Sequence, residues 1–196
     1  MQSFIIAFVT FMVCLGANAA SNITEVLAAL PDGGYIMDMG VDENGLFGIA
    51  DLGGKPFPGS PFTVNPGFVP PPTGHGAGNA AFTNTRDQWS CDARNETIDS
   101  ASWKDAGSFL TSWCGAGNMV PEHKVVTWTE NSSMAYLCNY AGPQNCDGLE
   151  YWNYMHFIGK ECGSTGCGWF HQSSGNMTYG RGLKAGLSSP HHICYV

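Results

Sequence analysis

Seven cysteines, Cys91, Cys114, Cys138, Cys146, Cys162, Cys167 and Cys194, crowd the C-terminal half of the chain, and an eighth, Cys14, stands apart in an apolar N-terminus. A thiol can pair as a disulfide or attack as a nucleophile, and the compartment decides which. Residues 1–20, MQSFIIAFVTFMVCLGANAA, carry no charged side chain. Their apolar run ends near Leu15, too short to span a bilayer as a helix, and Ala17-Asn18-Ala19 has the form of a signal-peptidase site. The stretch reads as a signal peptide, although it lacks the usual Lys or Arg at its start. Cleavage removes Cys14 and delivers the other seven to an oxidising, extracellular compartment, where such a density implies disulfides. An odd count leaves one thiol over, or pairs it with another chain. A reduced, activated Cys-His nucleophile does not fit that setting.

Other groups able to do chemistry have plainer readings. His191 and His192 are adjacent, so in a strand they point to opposite faces and do not share a metal ion. Asp38, Asp42 and Asn44 hint at calcium, but Gly40 breaks the alternation of oxygen ligands. Asp147 and Glu150 fall in the first turn of a predicted helix, where capping and the helix dipole account for them. His156 and His171 read as packing or surface residues. Gly163-Ser-Thr-Gly166 has the composition of a turn between two cysteines. Trp89, Trp128, Trp152 and Trp169 could stack on sugar rings, but core packing is their commoner use. No GxSxG, HExxH or phosphate-binding loop occurs. These residues imply no catalytic set, no metal and no cofactor.

Sequons begin at Asn22, Asn95, Asn131 and Asn176. Four downstream of a signal suit a secreted eukaryotic glycoprotein. The formal charge is −8 with no basic run, which argues against nucleic acid as a partner. No second apolar segment is long enough to be a transmembrane helix.

The elements that must position these residues divide the chain. Residues 21–88 contain no cysteine and eight of the eleven prolines. Within them 55–80 reads as an extended Gly/Pro-rich linker, partly flexible. Residues 34–54 carry a hairpin signal, with Asn44-Gly45 between the apolar runs Tyr35–Met37 and Leu46–Ile49. That hairpin is either a pro-segment or docking strand, or it packs on the domain. Residues 89–196 hold every exported cysteine. The spacing predicts a helix from Asp99 or Ser100 to about Cys114, with Trp103, Ala106, Leu110 and Trp113 on one face. Strands follow at 124–130 and 133–140. A second helix, capped by Asp147, runs to about Lys160 with Leu149, Trp152, Met155 and Phe157 or Ile158 inward. Short strands at 168–172 and 177–180 and a C-terminal strand at 192–196 complete the order. It suits an α+β, disulfide-bonded two-layer sandwich with both helices on one face of an antiparallel sheet.

The run Asn131-Ser-Ser-Met-Ala-Tyr-Leu, then Cys146, a helix ending in Cys162, Cys167-Gly, Gly175-Asn176 and Gly180-Arg181-Gly182 resembles the virally encoded killer toxins of smut fungi and their fungal homologues. Trp89-Ser-Cys91 leading to a helix that ends in Cys114 is similar to the opening of the related necrosis-inducing effectors of plant-pathogenic fungi. The resemblance covers roughly 89–196. It implies a secreted fungal protein that is not an enzyme and acts by binding a host or competitor cell-surface target. It also points to Lys124, near the place of the toxins' exposed lysine, as a binding residue. Killer toxins carry ten cysteines, including N-terminal ones that bond the helix-end pair; here Cys91 alone is available for Cys162 or Cys167. Cys194 is expected to join Cys138 or a neighbouring cysteine. The competing classes are a small secreted cell-wall polysaccharide hydrolase and a structural wall or spore-surface protein.

Overall fold

The computed structural model describes residues 30–39, 48–52, 87–91, 96–185 and Cys194. The signal segment, Asn22, Asn95, the Gly/Pro-rich stretch 55–80, Asp42, Asn44, the His191-His192 pair and the expected C-terminal strand lie outside these residues, Cys194 excepted.

The order is β1 (Gly33–Asp38), β2 (Ile49–Asp51), β3 (Gln88–Cys91), α1 (Ser100–Gly115), β4 (Met119–Val120), β5 (Lys124–Glu130), β6 (Ser133–Asn139), β7 (Gln144–Asn145), α2 (Gly148–Glu161), β8 (Gly168–Gln172) and β9 (Met177–Leu183). Seven strands form one sheet in the order β2-β1-β5-β6-β9-β8-β3, and β4 pairs with β7. Every pairing is antiparallel. The protein is an α+β sandwich, as the sequence implies. The hairpin signal at 34–54 becomes β1 and β2. β1 is hydrogen-bonded along its whole length to β5, so the sheet starts well before residue 89.

Local chemistry explains the elements. Val125, Val126, Thr127 and Thr129 are β-branched, and Trp128 adds a large aromatic, so β5 favours the pleated state. Asn131 turns the chain toward β6 with a left-handed φ of 51°, which Asn tolerates better than most residues. Asp99 caps α1, its carboxylate accepting from Ser102 N at 2.7 Å. Asp147 caps α2, accepting from Leu149 N at 2.7 Å.

Side chains alternate across the sheet. One face carries Val126, Trp128, Ala135, Leu137, Phe170 and Tyr179, packed against Leu110 and Ala106 of α1 and Tyr151, Met155 and Ile158 of α2. Both helices therefore lie on this face. The opposite face carries a second apolar cluster that includes Tyr35, Met37, Val125, Met134, Tyr136 and Cys138. The 3.6-residue reading of α2 holds at Met155 and Ile158, finds Trp152 half-buried, misses Tyr151 and Tyr154, and fails at Leu149. Leu149 is 41% exposed, while the inward stripe is Tyr151, Tyr154, Met155 and Ile158. Two cross-strand pairs set an aromatic over a glycine, Trp128 on Gly34 and Tyr136 on Gly180. A Cβ at either glycine would overlap the ring.

Three disulfides staple the layers: Cys91–Cys162, Cys114–Cys146 and Cys138–Cys194. They span 71, 32 and 56 residues. The chain-entropy model assigns closures of this size about 4 kcal/mol each. Of the alternatives left open by the sequence, Cys91 takes Cys162 and Cys194 takes Cys138. Cys167 stays outside the three bridges and is buried.

Candidate binding surface and the residues that build it

Strand directions gather the chemistry-bearing loops at one end of the sandwich. β5 begins there at Lys124, beside the ends of β1 at Asp38 and β6 at Asn139. β9 also begins there at Met177, opposite the end of β8 at Gln172. The loops before β5 and before α2, and the β8–β9 turn, all leave from this end, where Cys114–Cys146 ties the end of α1 to the start of α2.

Lys124 is half-exposed, and its ammonium forms an ion pair with Asp38, its cross-strand neighbour. Asp38 also accepts from Gly48 N at 2.7 Å. The lysine indicated by the toxin resemblance thus has its charge engaged on the fold, in a partly exposed pair of the kind worth 0–1 kcal/mol. His123, before it, has a left-handed φ of 53° and lies 3.3 Å from Glu122.

Sequence reasoning missed the residue that shapes these loops. Asn139 is fully buried at the end of β6. Its amide donates to Val120 O at 2.9 Å, Gly142 O at 3.0 Å and Pro121 O at 3.1 Å. Its oxygen accepts from Ala141 N and Gln144 Nε2, both at 3.0 Å. One side chain therefore satisfies backbone groups at the end of β4, in the turn that follows it and in the loop after β6. An Asn between a strand and Ala-Gly-Pro was the available signal.

Most of the carboxylates and histidines near this end are held by the fold. Glu150 accepts from Tyr179 Oη at 2.8 Å and from Gln172 Nε2 at 3.4 Å. Burial, reinforced by Glu150, pushes the Tyr179 phenol far above its usual range. Burial also raises Tyr154, with the Glu150 and Asp87 charges adding to it, and its ring stacks on Phe170 at 4.1 Å. Asp87 accepts from Ser173 N at 2.9 Å and Ser173 Oγ at 2.7 Å, fixing the β8–β9 turn. His171 Nδ1 shares a 3.0 Å hydrogen bond with Thr178 Oγ1, which in turn donates to Tyr140 Oη at 3.3 Å. Burial lowers His171 to about 4, and the Asp87 charge opposes the shift only in part. His156 is half-buried on α2, and its Nε2 is shielded without a hydrogen-bond partner. Among the described residues, no group of three or more His, Cys, Asp or Glu is placed to hold a metal ion.

The other end of the sandwich carries a second device that sequence reasoning missed. Arg181 is 2% exposed. Its Nε donates to Gly166 O at 2.9 Å and its Nη2 to Gly163 O at 2.8 Å, while the guanidinium lies 4.5 Å from the Trp103 ring centroid. Burial lowers its pKa, and Tyr151 and Cys167 act in the opposite sense. A buried cation needs compensation. Here it comes from carbonyls just past the C-terminus of α2, the negative end of the helix dipole, and from an aromatic face. Gly180-Arg181-Gly182 was legible only as part of a resemblance.

Of the four sequons, Asn131 and Asn176 are described, and both are exposed at left-handed turn positions. Asn131 Nδ2 donates to Ser102 Oγ at 3.0 Å. A primary amide has two such hydrogens, so this bond can persist when the other is replaced by a sugar.

Among the described residues, no helix is long and apolar enough to cross a membrane. Comparison of the chain with known protein families, with curated proteins and with solved structures finds no match.

Proposed function

We propose that the protein is a secreted fungal effector or killer-like toxin that acts outside the cell by binding a host or competitor target. The resemblance of 89–196 to the killer toxins and necrosis-inducing effectors motivates this reading. The observation that carries it is the engagement of the acid–base candidates. Glu150, Asp147 and His171 engage Tyr179, the α2 N-terminus and Thr178, and His156 is half-buried with its Nε2 shielded. Residues used in this way shape a surface. Three bridges closing long loops suit a protein that must keep that surface rigid in an oxidising medium.

The test is infiltration of the purified, oxidised protein into plant tissue together with spotting on competing fungi. Activity in either assay, abolished by reduction and alkylation, is the expected result. Inactivity of the oxidised, folded protein across a panel of hosts and competitors overturns the proposal.

A further inference from the structure

We infer that the target is contacted through an apolar strip at the Cys114–Cys146 end of the helix layer, and that the partner is a protein segment carrying lysine or arginine beside apolar side chains. This rests on the proposed binding function and names the surface that serves it. Among the described residues, Met119 and Leu149 are the two exposed large hydrophobic residues, at 47% and 41%. The pairing of β4 with β7 brings them to the same end of the sandwich. Met119 pairs with Asn145, the next residue is the bridged Cys146, and Leu149 follows three positions later in the first turn of α2. Trp152, one turn further along α2, is half-buried and leans over Gly107 of α1 toward Trp103, with ring centroids 5.7 Å apart. Met119, Leu149 and Trp152 thus lie on β4 and the start of α2, on either side of the Cys114–Cys146 bridge.

The rim gives the sign of the partner. Glu122 lies three residues beyond Met119 with its side chain 55% exposed, and Asp147 and Glu150 flank Leu149. Among the described residues at this end, Lys124 is paired with Asp38, and neutral His123 lies 3.3 Å from Glu122. An apolar strip with an acidic border favours a basic partner by charge complementarity, which raises the encounter rate and rejects acidic surfaces.

The experiment uses the oxidised full chain and a fluorescent probe peptide alternating lysine with leucine, with a glutamate–leucine peptide as control, followed by anisotropy at low and high salt. The lysine peptide should bind, more weakly as salt rises, and the glutamate peptide should not. Met119→Ser with Leu149→Ser keeps the charge and alters only exposed positions. It should weaken binding by about tenfold or more. Glu122→Gln should flatten the salt dependence. Equal binding of the two peptides, or unchanged affinity of the double variant with its melting temperature preserved, overturns the inference. So does binding of phosphatidylcholine vesicles, rather than the peptide, that the double variant loses. The double variant also enters the tissue and fungal assays. If the wild type is inactive there, the proposed function fails while the peptide result still reads the surface. If the wild type is active and the double variant is equally active, the function stands and this surface is not its contact.

Discussion

Acid should destabilise this protein through His171. Its imidazole is buried beside Thr178, Tyr140 and Asp87, and its pKa falls from the usual 6.5 to about 4. The folded state therefore keeps it neutral where the unfolded chain protonates it. Stability from this group is complete above about pH 6.5, is lost as pH falls, and stops changing once pH drops below about 4. The pKa difference of about 2.5 units corresponds to about 3 kcal/mol in full, of which about 2 kcal/mol is already lost at pH 5. For a domain of this size that is a fall of about 4–8 °C in melting temperature. The assay is thermal or denaturant unfolding from pH 7 to pH 4, comparing wild type with His171→Asn, whose amide can keep a bond to Thr178 without titrating. The wild type should lose about 2 kcal/mol more than the variant between pH 7 and pH 5. Parallel pH profiles for the two proteins, or an NMR titration of His171 with a midpoint near 6.5, would refute the reasoning.

Further perturbations have defined outcomes. Replacing Cys114 and Cys146 together by Ser should lower stability by about 2–4 kcal/mol in denaturant unfolding while a peptide map still shows Cys91–Cys162 and Cys138–Cys194; reshuffling to Cys167 would contradict the connectivity. Gly180→Ala drives a methyl into the Tyr136 ring and should cost about 1–3 kcal/mol in the same assay, whereas Gly142→Ala, with open space around it, should be near neutral. Arg181→Ala leaves the Gly163 and Gly166 carbonyls without their donor and removes the cation from the Trp103 face. A loss of about 3 kcal/mol or more, with faster amide exchange at the end of α2, is the expected result. Asp147→Ala should lower stability by about 1 kcal/mol through loss of the α2 cap.

The elements that local chemistry dictates were legible in the sequence. Asp99 and Asp147 announced both helices through capping, and the apolar runs at 124–130 and 133–140 announced β5 and β6. The helix layer followed from the spacing of Trp103, Ala106 and Leu110. What could not be read depends on partners distant in sequence. The hairpin at 34–54 was legible, with packing on the domain among its readings, but not that β1 pairs with β5, because a six-residue ladder over more than eighty residues leaves no local trace. Leu149 has the composition of a core residue, but the helix turns Tyr151 and Tyr154 inward and leaves Leu149 exposed. Asn139 and Arg181 are polar types that a hydropathy reading assigns to the surface. Their burial is tolerated because backbone carbonyls of loops meet them, and those loops exist only in the folded chain. Lys124 was chosen from a resemblance, and its ion pair with Asp38 depends on the β1–β5 register.

The central claim is that activity resides in a disulfide-held surface and not in a catalytic side chain. Its most direct test is to assay Glu150→Gln, Asp147→Asn and His156→Gln singly in the tissue and fungal assays, alongside reducing-sugar release from cell-wall polysaccharide. Each variant is first shown by circular dichroism and thermal unfolding to be folded. The account predicts that none of the three abolishes biological activity, that the two carboxylate changes weaken it no further than they weaken binding of the lysine peptide, and that the wild type releases no sugar. Sugar release by the wild type that disappears with a single carboxylate change would contradict it and identify the protein as a hydrolase.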